Sequence, residues 1–239
     1  NNFINLIFIK IFFQIVVIFS VLFAGYHYVT SGIGVPVDYW HMGFHMSGVI
    51  FLVFVGFPAF KKRYNSLENP KNFWVFFNVP IWDWVLILLG ISSSLYIGIT
   101  WYEIKFNFFN YDFFLPEQVM RQGAPYKIDV VFGTILVFVL LEAVRRTIGI
   151  VVPIIILFFI SYAVFGRSIP IQILQHPGLT WDNFINNMYF PDIGIYGVTL
   201  WIVSTVVFHF VLFGVLAQRI GLGQFFVDIA TIIAGRFTG

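Results

Sequence analysis

The chain has 239 residues, of which 59% are apolar, 21% aromatic and only 10% charged, and its formal net charge is +2. A soluble domain of this length could not bury 32 Phe and 7 Trp and still present a polar surface. The small, scattered charge excludes a nucleic-acid partner, and the lack of cysteine excludes disulfides and thiolate metal sites. The composition therefore predicts an integral membrane protein surrounded mainly by membrane lipid.

Six apolar stretches approach the roughly 20 residues that a helix needs to cross a bilayer. They lie near residues 3–29, 41–60, 82–102, 128–146, 149–166 and 195–217. Segments 71–80 and 171–190 are too polar to span but apolar enough to lie along a membrane interface, and the final segment is amphipathic. The predicted fold is an all-α, multi-pass bundle of about six transmembrane helices with interfacial amphipathic helices.

The basic residues between the spans predict the orientation of the chain. With the N-terminus in the cytoplasm, eight basic residues lie inside and four outside, as the positive-inside rule favours. The inside group is Lys61, Lys62, Arg63, Lys71, Arg145, Arg146, Arg219 and Arg236, and the outside group is Lys105, Arg121, Lys127 and Arg167. We expect a multi-pass membrane protein with its N-terminus in the cytoplasm.

The stretch LEAVRRTIG, residues 141–149, interrupts two very apolar runs with Glu142, Arg145 and Arg146. On a helix Glu142 can pair with either arginine, three or four residues later. These residues could form a gating ion pair. The positive-inside bias favours a simpler interpretation, in which they anchor a tight cytoplasmic hairpin and pair locally.

Other polar residues in the apolar stretches allow both functional and structural interpretations. Asp129 could bind a coupling ion, but an acidic residue in a first helical turn is also favoured by the helix dipole. His41 and His45 have the spacing of two metal ligands, yet no carboxylate accompanies them, which favours a polar start of the second span. His209 is expected inside a span, either in a proton relay or, as we prefer, neutral and hydrogen-bonded to Ser204, Thr205 or a neighbouring helix.

Two blocks of motifs resemble the fused permease of the tripartite ATP-independent periplasmic (TRAP) transporters, especially the TAXI-type branch. The first block is RQGAPYKID, with Arg121 and Asp129, followed by LLEAVRRTIG. The second is GIYGVTL followed by FGVLAQRIGLGQFFVDIATIIAGRFTG, near the end of the sequence. Arg121, Asp129, Glu142, Arg145 and Arg146 are therefore treated as structural candidates, and no catalytic or cofactor-binding residue is predicted.

The resemblance implies a division of the chain and a function. Residues 1–166 would be a scaffold like the small membrane subunit, and residues 167–239 would begin the large, DctM-like permease domain. The family implies secondary active uptake of small organic anions, coupled to sodium and fed by a TAXI-type periplasmic substrate-binding protein. The sodium site would lie in the remainder of the permease chain, because this sequence stops where the family continues into its first re-entrant hairpin.

Two other functional classes stay open at this stage. A non-transporting membrane anchor or assembly subunit of another complex would have similar spans, and only the order of motifs argues against it. A membrane enzyme would need convergent catalytic residues, whereas the histidines here have no supporting carboxylate cluster. We therefore expect a protein that is not an enzyme.

Overall fold

The computed structural model describes residues 2–57, 59, 75–76, 79–108, 111–190 and 194–235. In chain order the regular elements are α1 (Asn2–Ile33), α2 (Asp38–Gly56), β1 (Val75–Phe76), β2 (Val79–Pro80), α3 (Ile81–Ile99), β3 (Ile104–Phe108), β4 (Tyr111–Leu115), α4 (Gln118–Arg121), α5 (Lys127–Thr147), α6 (Val151–Phe165), α7 (Trp181–Tyr189), α8 (Val198–Ile202), α9 (Phe208–Arg219) and α10 (Leu222–Gly235). A π-helical turn, Val203–Val207, joins α8 to α9.

Five helical segments in the described part of the chain are long and apolar enough to cross a membrane: Ile9–Ile33, Asp38–Gly56, Ile81–Ile99, Val151–Ser168 and Val198–Arg219. A sixth helix, α5, has 21 residues and carries charged side chains near both ends. It packs against α2, α3, α6 and α7 and so occupies the interior of the bundle. The predicted all-α, multi-pass membrane fold is confirmed.

The outer helices expose their apolar side chains. Leu22 in α1 is 68% exposed, Phe158 in α6 is 65% exposed and Phe210 in α9 is 70% exposed. In water such surfaces would be large hydrophobic patches, but a bilayer solvates them as well as a protein core does. The bundle is therefore built for lipid around its periphery and packs its polar residues inside.

Helices α2 and α3 form the most closely packed pair, because small residues face each other across the contact. A Cβ atom added at Gly43 would lie 2.6 Å from the backbone oxygen of Ser94, and one at Gly98 would lie 2.7 Å from the Cα atom of Trp40. The Ser47 and Ser94 hydroxyls are hydrogen-bonded across the same contact at 2.7 Å. Side chains larger than these would force the two backbones apart.

Two segments were predicted to lie along a membrane interface. Within 71–80, Val75–Phe76 pairs antiparallel with Val79–Pro80, so this part is a short β-ladder and not an amphipathic helix. Within 171–190, residues 171–175 are exposed and α7 buries Phe184, Ile185 and Tyr189, and the interfacial position of both segments stays a prediction. These apolar residues recur at helical spacing, which gives α7 one face that packs into the bundle.

The sequence analysis did not predict the hairpin of β3 and β4, which follows the end of α3. Five basic residues that enter the orientation prediction lie outside the described residues: Lys61, Lys62, Arg63, Lys71 and Arg236. The bundle has one end that contains Arg121 and a second end that contains Arg146. We call these the Arg121 end and the Arg146 end.

Candidate functional site: three buried polar clusters

The first cluster is centred on Arg121 in α4, whose side chain is completely buried. Its guanidinium forms an ion pair with the buried carboxylate of Asp129 in α5. Nη1 also donates to the Tyr96 hydroxyl at 3.1 Å, which in turn donates to Asp129 Oδ1 at 2.6 Å. Nη2 donates to the Thr100 carbonyl oxygen at 3.2 Å, and Nε donates to that of Pro116 at 3.0 Å. One guanidinium therefore joins α3, α4 and α5.

The position of Asp129 follows from the local structure of the α5 N-terminus. It is the third residue of α5, and its Oδ2 atom accepts a hydrogen bond from the Tyr126 backbone N–H at 2.8 Å. A carboxylate there caps the helix and interacts favourably with the helix dipole. Because both carboxylate oxygens already accept hydrogen bonds, the geometry favours the structural interpretation of Asp129 over ion binding.

The second cluster is centred on Arg146 at the opposite end of α5. Its guanidinium pairs with Asp83 of α3 and with Glu142, each at 2.7 Å, and lies 4.5 Å from the centroid of the Phe54 ring. Arg145 also pairs with Glu142 at 2.7 Å, but its side chain is 34% exposed, whereas the Arg146 side chain is 2% exposed. The local pairs expected from helical spacing are present. The pair with Asp83 was not predicted and connects α5 to α3.

The third cluster contains histidines from α1 and α2. His45 Nδ1 lies 2.9 Å from His27 Nε2, and His27 Nδ1 lies 2.8 Å from the Phe23 carbonyl oxygen. The carbonyl can only accept, so His27 donates through Nδ1 and, when neutral, accepts from His45 through Nε2. His41 Nε2 likewise donates to the Ser204 carbonyl oxygen at 3.2 Å. His41 and His45 lie near the start of α2, as predicted from the sequence, and both side chains are buried inside the bundle.

His209 joins this histidine cluster from α9. Its Nδ1 atom contacts the Thr205 carbonyl oxygen, and its Nε2 atom contacts the His27 carbonyl oxygen of α1. Both partners are acceptors and a neutral imidazole has one N–H, so the expected neutral His209 donates to one of these two carbonyl oxygens, and the proton-relay alternative stays a hypothesis. Through His41 and His209, the π-helical turn and α9 are tied to α1 and α2.

Two buried tyrosines fasten the segment after α6 to the middle of α3. Tyr189 donates to the Ser93 carbonyl oxygen at 2.5 Å, and Tyr196 donates to the Ser94 carbonyl oxygen at 2.7 Å. Burial raises the pKa of both hydroxyls, because the phenolate would lose its hydration. Both tyrosines therefore remain protonated donors, and both bonds persist across the physiological pH range.

The described residues contain no group of three or more His, Cys, Asp or Glu arranged to hold a metal ion. A partly open hollow of about 180 Å³ between α5, α6 and α7 has only apolar lining residues. Its lining is Val137, Leu140, Leu141, Val144, Ile156, Ile160, Phe184, Met188 and Ile195. Such a lining does not suit a small organic anion, which needs cationic or N–H donors.

Sequence reasoning missed His27 and the role of Asp83, although each is an ionisable residue in a predicted span. That placement alone marks a residue as a candidate for a specific role. Their partners could not be inferred, because each pair joins positions far apart in the chain: Asp83 meets Arg146, and His27 meets His45. The structure places the predicted candidates in three separate clusters. Arg121 and Asp129 lie at one end of the bundle, Glu142, Arg145 and Arg146 lie at the other end, and His209 lies with the histidines in the interior.

Comparison with known families matches residues 135–239 to the tripartite ATP-independent periplasmic transporter, DctM component. The matched range begins within α5 and includes Glu142, Arg145 and Arg146. Neither the curated proteins nor the solved structures gave a match to the chain. The family match supports a TRAP-type transporter permease, and it points to a transporter and not to an enzyme.

Replacing Asp129 by asparagine leaves the Arg121 charge buried and unpaired, which typically costs roughly 3–5 kcal/mol. We expect the thermal unfolding midpoint of Asp129→Asn in detergent to fall well below that of the parent. The control is Asp112→Asn, an exposed residue on β4, which should change little. The double variant Arg121→Met/Asp129→Leu, which removes both charges, should recover part of the loss. Equal midpoints for Asp129→Asn and Asp112→Asn would contradict the buried ion pair.

The two neighbouring arginines provide a matched pair for the second cluster. Arg146→Gln removes the partner of the buried Asp83 carboxylate, so we expect a loss of roughly 3–5 kcal/mol. Arg145→Gln removes a partly exposed pair and should cost less than about 1 kcal/mol. Denaturation of both variants in the same detergent tests this difference, and a larger loss for Arg145→Gln would reverse the assignment.

Proposed function

We propose that this chain supplies the scaffold part of a TRAP-type permease, a secondary active transporter that works with a separate substrate-binding protein. The observation that carries the proposal is the match of residues 135–239 to the DctM component. In the proposed division, residues 1–166 form a scaffold like the small membrane subunit, and residues 167–239 begin the large permease part. The DctM match covers residues on both sides of that boundary.

The buried clusters support a rigid role for the bundle. Polar contacts connect α3 and α5 at both ends. At one end Tyr96 donates to Asp129, which pairs with Arg121, and at the other end Arg146 pairs with Asp83. Breaking such contacts during a transport cycle would expose unpaired charges to a low-dielectric interior. We therefore assign α1 to α7 to the part that stays fixed while other helices move.

Helices α9 and α10 are the proposed link between this scaffold and the moving part. α10 is amphipathic, and most of the apolar side chains from Phe225 to Ile233 are exposed. An exposed amphipathic helix at the end of a span suits a connecting arm that lies along the membrane interface. The histidine cluster would hold the start of this arm against α1.

The remaining parts of the proposal extend beyond the chain itself. We propose that the transported solutes are small organic anions, that sodium is the coupling ion and that a TAXI-type periplasmic binding protein delivers the solute. Transporters bind ions and solutes at discontinuous helices near the membrane midplane. We expect those elements in the remainder of the permease and assign no sodium ligand to the residues described here.

We also propose that the protein lies in the bacterial inner membrane with its N-terminus and the Arg146 end in the cytoplasm. The sequence has no cysteine, so single cysteines can be introduced without background labelling. A cysteine at Thr147, beside Arg146, should react with an impermeant maleimide only from the cytoplasmic side, and one at Lys105 only from the periplasmic side. The reverse pattern would overturn this orientation.

The alternative of a non-transporting anchor subunit has less support, because the DctM match favours a permease. Solute uptake separates the two. We would reconstitute residues 1–239 alone, and the same residues joined to the remainder of a DctM-type permease, each with the cognate binding protein. We expect sodium-dependent uptake only with the joined chain. Uptake by residues 1–239 alone would show that the transport site is misplaced, and no uptake by an intact, folded joined chain would favour the anchor.

A further inference from the structure

The hairpin of β3 and β4 has one apolar face and one polar face. Its register pairs Ile104 with Leu115, positions 106 with 113 and 108 with 111, and Lys105 with Phe114. Because side chains alternate along a strand, Ile104, Phe113 and Leu115 share one face. All three are apolar. The other face holds the Lys105–Phe114 and Asn107–Asp112 pairs.

The base of the apolar face is fixed to the bundle. Leu115 is only 3% exposed and belongs to the core, and Ile104 packs against that core. Further from the base, Phe113 is 45% exposed. The same apolar face therefore begins inside the protein and continues beyond it.

The polar face carries a different set of contacts. The Lys105 ammonium lies 5.5 Å from the centroid of the Phe114 ring and pairs with Glu103 at 3.0 Å. The Lys105 side chain is 65% exposed and the Glu103 side chain is 50% exposed. Lys105, Asn107 and Asp112 make this face suited to water, and the Lys105 ammonium lies over the Phe114 ring.

The residues that precede the hairpin are of the types found at a membrane boundary. Helix α3 ends at Ile99, and Trp101 and Tyr102 follow, the second of them 64% exposed. Tryptophan and tyrosine favour the boundary between lipid and water. Strands of five residues reach about 17 Å, so a hairpin that stood upright would carry its apolar face into water.

We propose that this hairpin lies flat in the membrane interface at the Arg121 end, with its apolar face in lipid and the Lys105 face in water. The continuity of the apolar face with the core and with the Trp101–Tyr102 boundary identifies lipid as the occupant. An isolated two-stranded hairpin is marginally stable in water and needs a further strand or a helix to cover its apolar face. Lipid takes the place of that cover here. The hairpin thus adds a lateral anchor to the spans.

Spin-label accessibility tests this placement. Single cysteines at Phe113 on the apolar face and at Asn107 on the polar face would carry a nitroxide in the protein reconstituted into phosphatidylcholine–phosphatidylglycerol nanodiscs. We expect collisions with oxygen to dominate at 113, and collisions with a water-soluble nickel chelate to be several-fold more frequent at 107. The label at the exposed lipid-facing position Phe158 provides the reference for full lipid contact.

Every other result would overturn the proposal. Equal access of the nickel chelate to both positions would place the whole hairpin in water. Low access of both reagents at 113 would show that protein, and not lipid, covers the apolar face. A nitroxide on Phe114→Cys gives an independent check, because position 114 belongs to a different residue pair on the polar face. It should collide with the nickel chelate as often as the label at 107 does. A size-exclusion profile and a thermal unfolding midpoint equal to those of the parent establish that each labelled protein is folded.

Discussion

The structure depends on one constraint: a charge inside a membrane bundle is stable only when an opposite charge and hydrogen-bond partners meet it within the protein. Lipid supplies neither, and transfer of an unpaired ion from water into a medium of low dielectric constant costs several kcal/mol even after relaxation. Arg121 and Arg146 both satisfy this constraint with carboxylates from other elements. The positions of those carboxylates determine how α3, α4 and α5 can be arranged.

Helix α3 is the common partner of these polar contacts. Its first turn contributes Asp83, its middle contributes the backbone oxygens of Ser93 and Ser94, and its last turn contributes Tyr96. The contacts are distributed along the full length of one helix, so α3 cannot slide or rotate without losing several of them together. This arrangement gives the bundle a single packing geometry, which apolar contacts alone specify less strictly.

Much of the fold could be predicted from the sequence because a helix that crosses lipid needs a long, continuous apolar stretch. Spans, the amphipathic final helix and the local pairing of Glu142 with Arg145 and Arg146 depend on residues near one another in the chain. The pairs Arg146–Asp83 and His27–His45 depend on which helices become neighbours, and periodicity does not contain that information. The β3–β4 hairpin was missed, although its first strand, IKFNF, alternates apolar and polar residues as a strand does.

The segment 171–190 shows a related limit. Its composition indicated an interfacial segment but did not indicate that the apolar residues at 184, 185 and 189 form one narrow face that packs into the bundle. A nine-residue helix needs only that face to pack into a bundle, while Asn183 and its neighbours remain accessible. Composition averages over the helix, whereas packing depends on the distribution of residues around its axis.

The π-helical turn at Val203–Val207 has a consequence for the direction of the chain. Such a turn accommodates one more residue than an α-helical turn, and each residue of an α-helix represents a rotation of about 100°. The side of the span that faces α1 beyond this turn is therefore different from the side that an unbroken helix would present. The π-helical turn thereby brings His209 to α1. It also sets the direction, around the axis of this span, in which α10 extends from the bundle. A single inserted residue thus acts as a fixed angular offset between the two ends of one transmembrane segment.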